Sequence, residues 1–583
     1  MRHVRRLSVS TQWRAAVLPL CAAVVLGCHG EVGPTGGGGH VTPICDATDP
    51  AQVVVPQRIL LLTSTQLINM VQLVSTEEAT AVVTDAIFEV TSDFRARFPP
   101  AKFETRKSIP NSTELTYFDL LAQHVGNYVR DHFAAVTKCA TPATDDCAKA
   151  YLNALAKKVY RRALTTGEQE RFTALYDTLR SQVVNGCQVT NSVEQATGHA
   201  IYALFMTPQL LWRWELGSSA AVSSGPAGVY LSDNELASNL SFFLTDQPPD
   251  DMLVAAASAG NLRANLATHV DRILATQAAR DWLTKVMRIY FTLNQLPGVV
   301  IDSTKFPIVD GGAIYGDLEE ESKRFLYDVM WNGKVMDLIT SRKTFVNTNL
   351  ATMVYGLAAP PAGATPTNFV ETTLPENERA GMLTNAGFIT RAARTNGVGV
   401  VPRGLAVKAL FLCLETDPPP PEIASVVEAQ KGMLDMMTAQ QQVATRASVP
   451  LCASCHDTFD SYGLVLDWYD VIGRHRATDH VNMPIDGTTT LPDEVGGQTV
   501  HSAVELADVL SKNTVFMNCM ARTMLQYGLT DATVELPVPA KQQRGCAAAG
   551  VANTVQRSGN KSFTDMVRAV ATSPAFVLRQ QVP

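Results

Sequence analysis

At three places that stand out along this chain, a Ser or Thr is followed three residues later by Glu or Gln, and apolar residues then return at every third or fourth position. The pairs are Thr165 and Glu168, Ser192 and Gln195, and Ser232 and Glu235. In such a box the hydroxyl accepts from an orphan N–H of a new helix, while the longer side chain accepts from the capping residue's own N–H. Phe172, Leu175, Tyr176 and Leu179 follow the first box, Ile201 and Phe205 the second, and Leu236, Leu240 and Phe243 the third. The same period runs through Leu67, Met70, Val71 and Val74, through Leu121, Val125, Tyr128, Val129 and Phe133, and through Leu152, Leu155 and Val159. It predicts further helices over 264–276, 278–293, 316–332 and 376–393. Alternating strand runs are few. The pattern predicts a mainly α fold, with several helical domains and long irregular loops.

At 583 residues, 46% of them hydrophobic, the chain is long enough for more than one core. Breaks in composition divide it. Ser218 to Gly228 is rich in Ser, Ala and Gly, Ala358 to Thr367 marks a second boundary, and Pro418 to Pro421 is a stiff spacer. The segments so defined are 51–140, 141–220, 229–360, 368–421, 422–486 and 487–583. A net charge of −7 gives no basic footprint for nucleic acid.

The N-terminus reads as a targeting segment. Arg2, Arg5, Arg6 and Arg14 flank an apolar run from Ala15 to Leu26, which is short for a membrane span and right for a signal peptide. The run stops at Gly27-Cys28, the pattern of a bacterial lipobox. Residues 1–27 are then a removable signal, Cys28 the lipidated N-terminus, and 28–50 a flexible tether containing Gly36 to Gly39. Loss of the signal moves the net charge from −7 to −11, because it carries four Arg and no acid. The expected location is the cell envelope, as an outer-membrane lipoprotein facing the periplasm or the cell surface. The lipid is its only membrane attachment.

Export permits disulfides. Cys139 and Cys147 close a short loop between two helices and are expected to pair, as are Cys519 and Cys546. Cys45, Cys187 and Cys413 are left over. The remaining two sit in Cys452-Ala453-Ser454-Cys455-His456, a C-x-x-C-H, which is the attachment signature of haem c. Two thiols one helical turn apart can reach the two vinyl groups of one porphyrin, and the next His lies under the ring as an iron ligand. Three other readings use the same residues. They are a Cys452–Cys455 disulfide, a zinc site completed by a distant ligand such as Cys413, and a thioredoxin-like pair. If haem is bound, Met483-Pro484 offers a thioether as second axial ligand, with His475, His480 and His501 as rivals. Tyr462, Trp468 and Tyr469 could pack on the porphyrin or belong to the core. Arg474 and Arg476 could pair with propionates, with Asp470 orienting one of them.

The stretch from Cys452 to Arg476 resembles the cytochrome c-like domain of the planctomycete-type multidomain proteins. Cys452, Cys455 and His456, then Gly463, then Asp470, Ile472, Gly473 and Arg476 fall on that family's pattern. Phe459-Asp460-Ser461 stands where the family often has Met-Asp-Pro. Other segments resemble companion domains in the same order. They are Arg58 to Val74, Tyr160 to Thr165 (with Ala163 for the usual Pro), Met206 to Arg213, Leu231 to Thr245, Phe345 to Gly356, Gly381 to Thr384, Arg403-Gly404, and Cys413 to Pro421. The resemblance implies a C-terminal cytochrome c-like segment in a family of unknown function, while covalent haem c is what the C-x-x-C-H itself points to. The function expected is that of an exported, lipid-anchored, single-haem protein with an electron-transfer or redox role and an unidentified redox partner. Two other classes stay open. One is a haem-dependent peroxidase or oxidase of an extracellular substrate. The other is a haem-free, disulfide-stapled surface scaffold.

Overall fold

Helix periodicity without strand alternation leaves only one way to bury apolar stripes, which is helix on helix. The computed structural model describes residues 55–74 and 110–580 apart from short stretches, of which 219–227, 424–431 and 531–537 are the longest. All of them belong to the unit Val41–Pro583. The fold is mainly α. Strands among the described residues form only two-stranded antiparallel ribbons. Cys28 and Cys45 lie outside the described residues, as does the side chain of Cys187.

Two cores organise the body. The first is built by α1 (Ser64–Val71), α2 (Ser112–Asp131), α3 (Asp145–Tyr160), α4 (Thr166–Arg180) and α5 (Val193–Phe205). Capping boxes open α1, α4 and α5 at Thr63, Thr165 and Ser192. Helix α6 (Asp233–Thr245) is capped the same way and buries every residue from Leu236 to Leu244. A helix buried all round lies between packed layers. Phe242 of α6 belongs to the first core, while Leu240 and Phe243 belong to the second.

The second core runs from Leu231 to Phe576 and also takes in Val55. It includes α7 (Gln277–Tyr290), α8 (Ala313–Asn332) and α9 (Val400–Phe411). Helix α10 (Ala439–Ala447) packs beside it, with Ala439 in a small separate cluster with Val400 and Leu464. The second core continues through α11 (Pro450–His456), α12 (Asp460–Leu464), α13 (Thr514–Leu529), α14 (Val538–Arg557) and α15 (Phe563–Ala571), the last with its own capping box at Ser562. The helix expected over 376–393 is not continuous. Gly381 takes φ +54, in the left-handed region, and the chain makes a 3₁₀ turn before Asn385 caps a new helix, Ala386–Arg391.

Each core contains one place where two helix backbones touch through glycine. In the first, a Cβ added to Gly126 would lie 2.5 Å from the carbonyl oxygen of Gly198. In the second, a Cβ on Gly463 would lie 2.0 Å from the carbonyl oxygen of Val400, and one on Gly404 would lie 2.2 Å from that of Phe459. Only hydrogen fits at these crossings, so α2 packs on α5, and α12 on α9, at the closest approach available.

A buried ion cluster ties Arg58 and Arg579, far apart in sequence, to Glu215. Strand β1 (Arg58–Leu61) pairs antiparallel with β2 (Trp212–Glu215), while the terminal strand β4 (Leu578–Arg579) pairs with β3 (Val229–Tyr230). The Glu215 carboxylate accepts from Arg58 at 2.8 Å, Arg213 at 3.1 Å and Arg579 at 2.7 Å. Burial alone would raise its pKa, but the guanidiniums of Arg579, Arg58 and Arg213 hold it far below the carboxylate range.

Cys139 and Cys147 are bridged across 8 residues. The expected partnership of Cys519 with Cys546 is corrected. Cys519 is bonded to Cys413, 106 residues away. The reason is packing: α13 lies against α9, so Cys519 meets the end of α9 rather than its sequence neighbour. Cys546 is also disulfide-bonded. In the chain-entropy picture the long Cys413–Cys519 loop contributes about 5 kcal/mol and the short loop about 3 kcal/mol.

Two predictions follow from packing. Gly463→Ala should destabilise the fold by about 1–3 kcal/mol or more through overpacking. Gly550→Ala, at an exposed helical position with open space around it, should stabilise it by up to about 1 kcal/mol. Urea unfolding of the two variants checks the opposite signs. In non-reducing peptide maps, Cys413 and Cys519 should appear in one linked peptide, and the double Ser variant of this pair should lose more stability than that of Cys139 and Cys147.

Candidate functional site

Val449 is extended and Pro450 occupies the first turn of α11, where its missing N–H costs nothing. The seven-residue helix places Cys452 and Cys455 three apart, on one face. Both thiols are partly buried and neither is bridged, which removes the Cys452–Cys455 disulfide reading. Leu451 and Val449 beside them are 63% and 42% exposed, an apolar surface that the protein itself leaves uncovered.

His456 ends the helix. Its Nδ1 lies 3.1 Å from Oδ1 of Asp460, and an ionised carboxylate can only accept, so the ring donates Nδ1–H. That leaves the Nε2 lone pair for another partner. The ring also packs against Phe459, with centroids 4.9 Å apart. Asp460 is buried at 2% exposure, and its Oδ2 accepts from Nε of Arg446 at 2.6 Å.

Three ties hold this segment to the core. The Gly404–Gly463 crossing seats α12. Lys408 of α9 donates to Oγ1 of Thr458 at 2.8 Å, and that hydroxyl donates to the carbonyl of Cys455 at 2.7 Å. Arg403, fully buried, donates to the carbonyls of Leu466, Tyr469 and Asp470 at 2.6–2.8 Å. Burial without a carboxylate in contact pulls its pKa down to about 9. Arg403 thus gathers the chain that leaves α12 by its carbonyl oxygens.

Cys413 is committed to Cys519, so it is not the ligand that would complete a zinc site with Cys452 and Cys455. Among the described residues no group of three His, Cys, Asp or Glu is arranged to hold a metal ion. Tyr462 and Tyr469 are core residues, 0% and 2% exposed. Trp468 stacks on His475, with centroids 5.7 Å apart and planes 3° from parallel, and its indole N–H donates to the carbonyl of His501. Asp470 pairs with Arg474 and also accepts from the backbone N–H of Ile472 and Arg474. Arg476 pairs with Asp467. Both arginines expected at propionates therefore have carboxylates of their own. Met483 closes a tight turn around Asp479, whose Oδ1 accepts from the N–H of Val481 and of Met483. Its side chain is 52% exposed. His501 shares a hydrogen bond with Thr488.

Sequence reasoning missed a second polar cluster. Glu321 of α8 is fully buried, and its Oε1 accepts from Thr344 at 2.7 Å and from the Tyr355 hydroxyl. Its Oε2 has no hydrogen-bond partner. Arg379 lies over the Tyr355 and Tyr469 rings at 4.7 and 5.0 Å and donates to the carbonyls of Thr384 and Gly473. Burial pushes the Glu321 carboxyl up to about 7, against the opposing pull of the two hydroxyls and Arg379. Of the three consecutive glutamates Glu319 to Glu321, only Glu321 falls on the apolar stripe of Leu318 and Phe325, and that spacing was the available sequence signal.

Residues 231–357 match the family described as PSD4, protein of unknown function (DUF1592), and residues 379–479 match PSCyt3, protein of unknown function (DUF1588). The matches are consistent with a planctomycete-type multidomain, cytochrome c-like family. The second contains Cys452, Cys455, His456 and Asp460. Glu321 and Tyr355 lie in the first and Arg379 in the second, so this cluster packs the two matched segments together. No curated protein and no solved structure matches the chain.

The Glu321 carboxyl titrates near 4.5 in an exposed reference state and near 7 here. The folded state therefore binds the extra proton between those values. The contribution of this group to stability should be greatest below pH 4.5, fall as pH rises toward 7, and be lower above that by about 3 kcal/mol. Glu321→Gln should flatten that part of the profile, measured by urea unfolding between pH 5 and 8.

Proposed function

We propose that this chain is an exported, lipid-anchored redox protein of the cell envelope that carries one haem c. Cys452 and Cys455 would form the thioethers and Nε2 of His456 would bind the iron. The observation that supports this reading best is the donor set. Two unbridged thiols share one face of α11, next to an imidazole whose Nδ1 is already engaged and whose Nε2 is not. The exposed apolar side chains of Leu451 and Val449 give a porphyrin edge something to cover. When bound, the group supplies a one-electron couple. The protein's part is to fix the imidazole, to shield one side of the site with Phe459 and the buried face of α12, and to leave the other side near solvent for a redox partner. The lipid on Cys28 would confine it to the outer membrane. Among the described residues no helix is long and apolar enough to cross a membrane.

Protein matured with its own export signal, in a host competent for cytochrome c assembly, should give a pyridine haemochrome spectrum with two thioethers. Cys455→Ala should shift that band to the one-thioether position, and His456→Ala should change the iron spin state. A weak near-infrared thioether–iron band that disappears in Met483→Ala would identify Met483 as the second axial ligand, and its absence from the parent protein would leave that position to another group. Wild-type protein without covalent haem overturns the proposal.

A further inference from the structure

Asp460 is the first residue of α12, yet it does not cap that helix. Phe459 holds the N-cap position, with no side-chain cap bond. The two carboxylate oxygens go instead to His456 on one side and Arg446 on the other, at 3.1 and 2.6 Å. A carboxylate this buried is stable only if paired, and it is paired asymmetrically, with a guanidinium on Oδ2 and an imidazole N–H on Oδ1.

We infer that Asp460 is a positioning residue for His456, fixing the imidazole with its proton on Nδ1, and that Arg446 sets how strongly the carboxylate pulls on that proton. A hydrogen bond from an imidazole to a carboxylate raises the donor strength of the other ring nitrogen. Arg446 opposes this by drawing the carboxylate's charge toward itself, so the two residues act on the imidazole in opposite directions. The redox consequence rests on the haem reading above. The tautomer does not.

The opposite signs make the inference testable. A stronger imidazole donor favours ferric over ferrous iron, so Asp460→Asn should raise the midpoint potential and Arg446→Gln should lower it. A tenfold change in the ferric-to-ferrous equilibrium, the size expected for Asp460→Asn, is about 59 mV for one electron. Arg446→Lys, which keeps the cation, should return toward the wild-type value. The iron–imidazole stretching band in resonance Raman spectra should move down in Asp460→Asn and up in Arg446→Gln.

A second readout needs no haem. In full-length protein labelled with ¹⁵N-histidine, the His456 signals, assigned by their loss in His456→Asn, should show the proton on Nδ1. In Asp460→Ala the proton should redistribute toward Nε2. Potentials that shift the same way in the Asp460 and Arg446 variants, or a wild-type His456 protonated on Nε2, overturn the inference. If Asp460→Asn does not fold, the wild-type tautomer and the sign of the Arg446→Gln shift decide it. Failure of wild-type protein to take up haem would remove the proposed function while leaving the ¹⁵N result to judge Asp460.

Discussion

The contact on which the C-terminal half depends is the crossing of α9 and α12 through Gly404 and Gly463. Backbone meets backbone there, with the carbonyls of Val400 and Phe459 in the space a side chain would fill. Close approach brings Arg403 within reach of three carbonyls beyond α12 and brings Lys408 to Thr458. The same crossing fixes Phe459 and Asp460, and through them the His456 ring. A few tenths of an ångström at the glycines would therefore be felt at the imidazole. The site owes its geometry to the two most featureless residues near it.

A similar economy appears in the first core, where the motif residues turn out to be clamps. Arg161 is buried and donates to the carbonyl of Trp212 at 2.6 Å, and its neighbour Arg162 grips Glu168 through two bonds. Glu168 also completes the box at Thr165. Gln66 caps α1 and reaches Asp246 at the end of α6. These residues secure helix ends across elements far apart in sequence, and none of them touches the C-x-x-C-H segment. Arg161 and Arg162 capture carbonyl and carboxylate oxygens with planar cations, and Gln66 does so with a neutral amide.

What the sequence made legible was local. Capping boxes and apolar spacing located α1, α4, α5 and α6, because both signals act over one or two turns. C-x-x-C-H and its neighbours located the site, because its chemistry is packed into five residues. The gap in the expected 376–393 helix was missed because Gly381 reads as a tolerated helix residue until its φ is known. The Cys413–Cys519 bond was missed because nothing in a linear spacing records that α13 lies on α9. Tyr462 and Tyr469 could be porphyrin or core residues from sequence alone, and burial assigns them to the core. Asp460 escaped notice because its role depends on Arg446, which sits on another helix.

Glu215 has a consequence in time. The ribosome delivers Arg58 and Arg213 before or with Glu215, but Arg579 comes 364 residues later. At about 5–20 residues per second that is an interval of about 20–70 s. Throughout it the carboxylate lacks one of its three cations, and β3 lacks the strand that pairs with it. A chain that stops before Arg579 leaves the buried Glu215 with two of its three guanidiniums, Arg58 and Arg213. Arg579 thus closes the seam at Glu215, and a chain cut just before Leu578 would hold the helices of both cores while leaving that seam open.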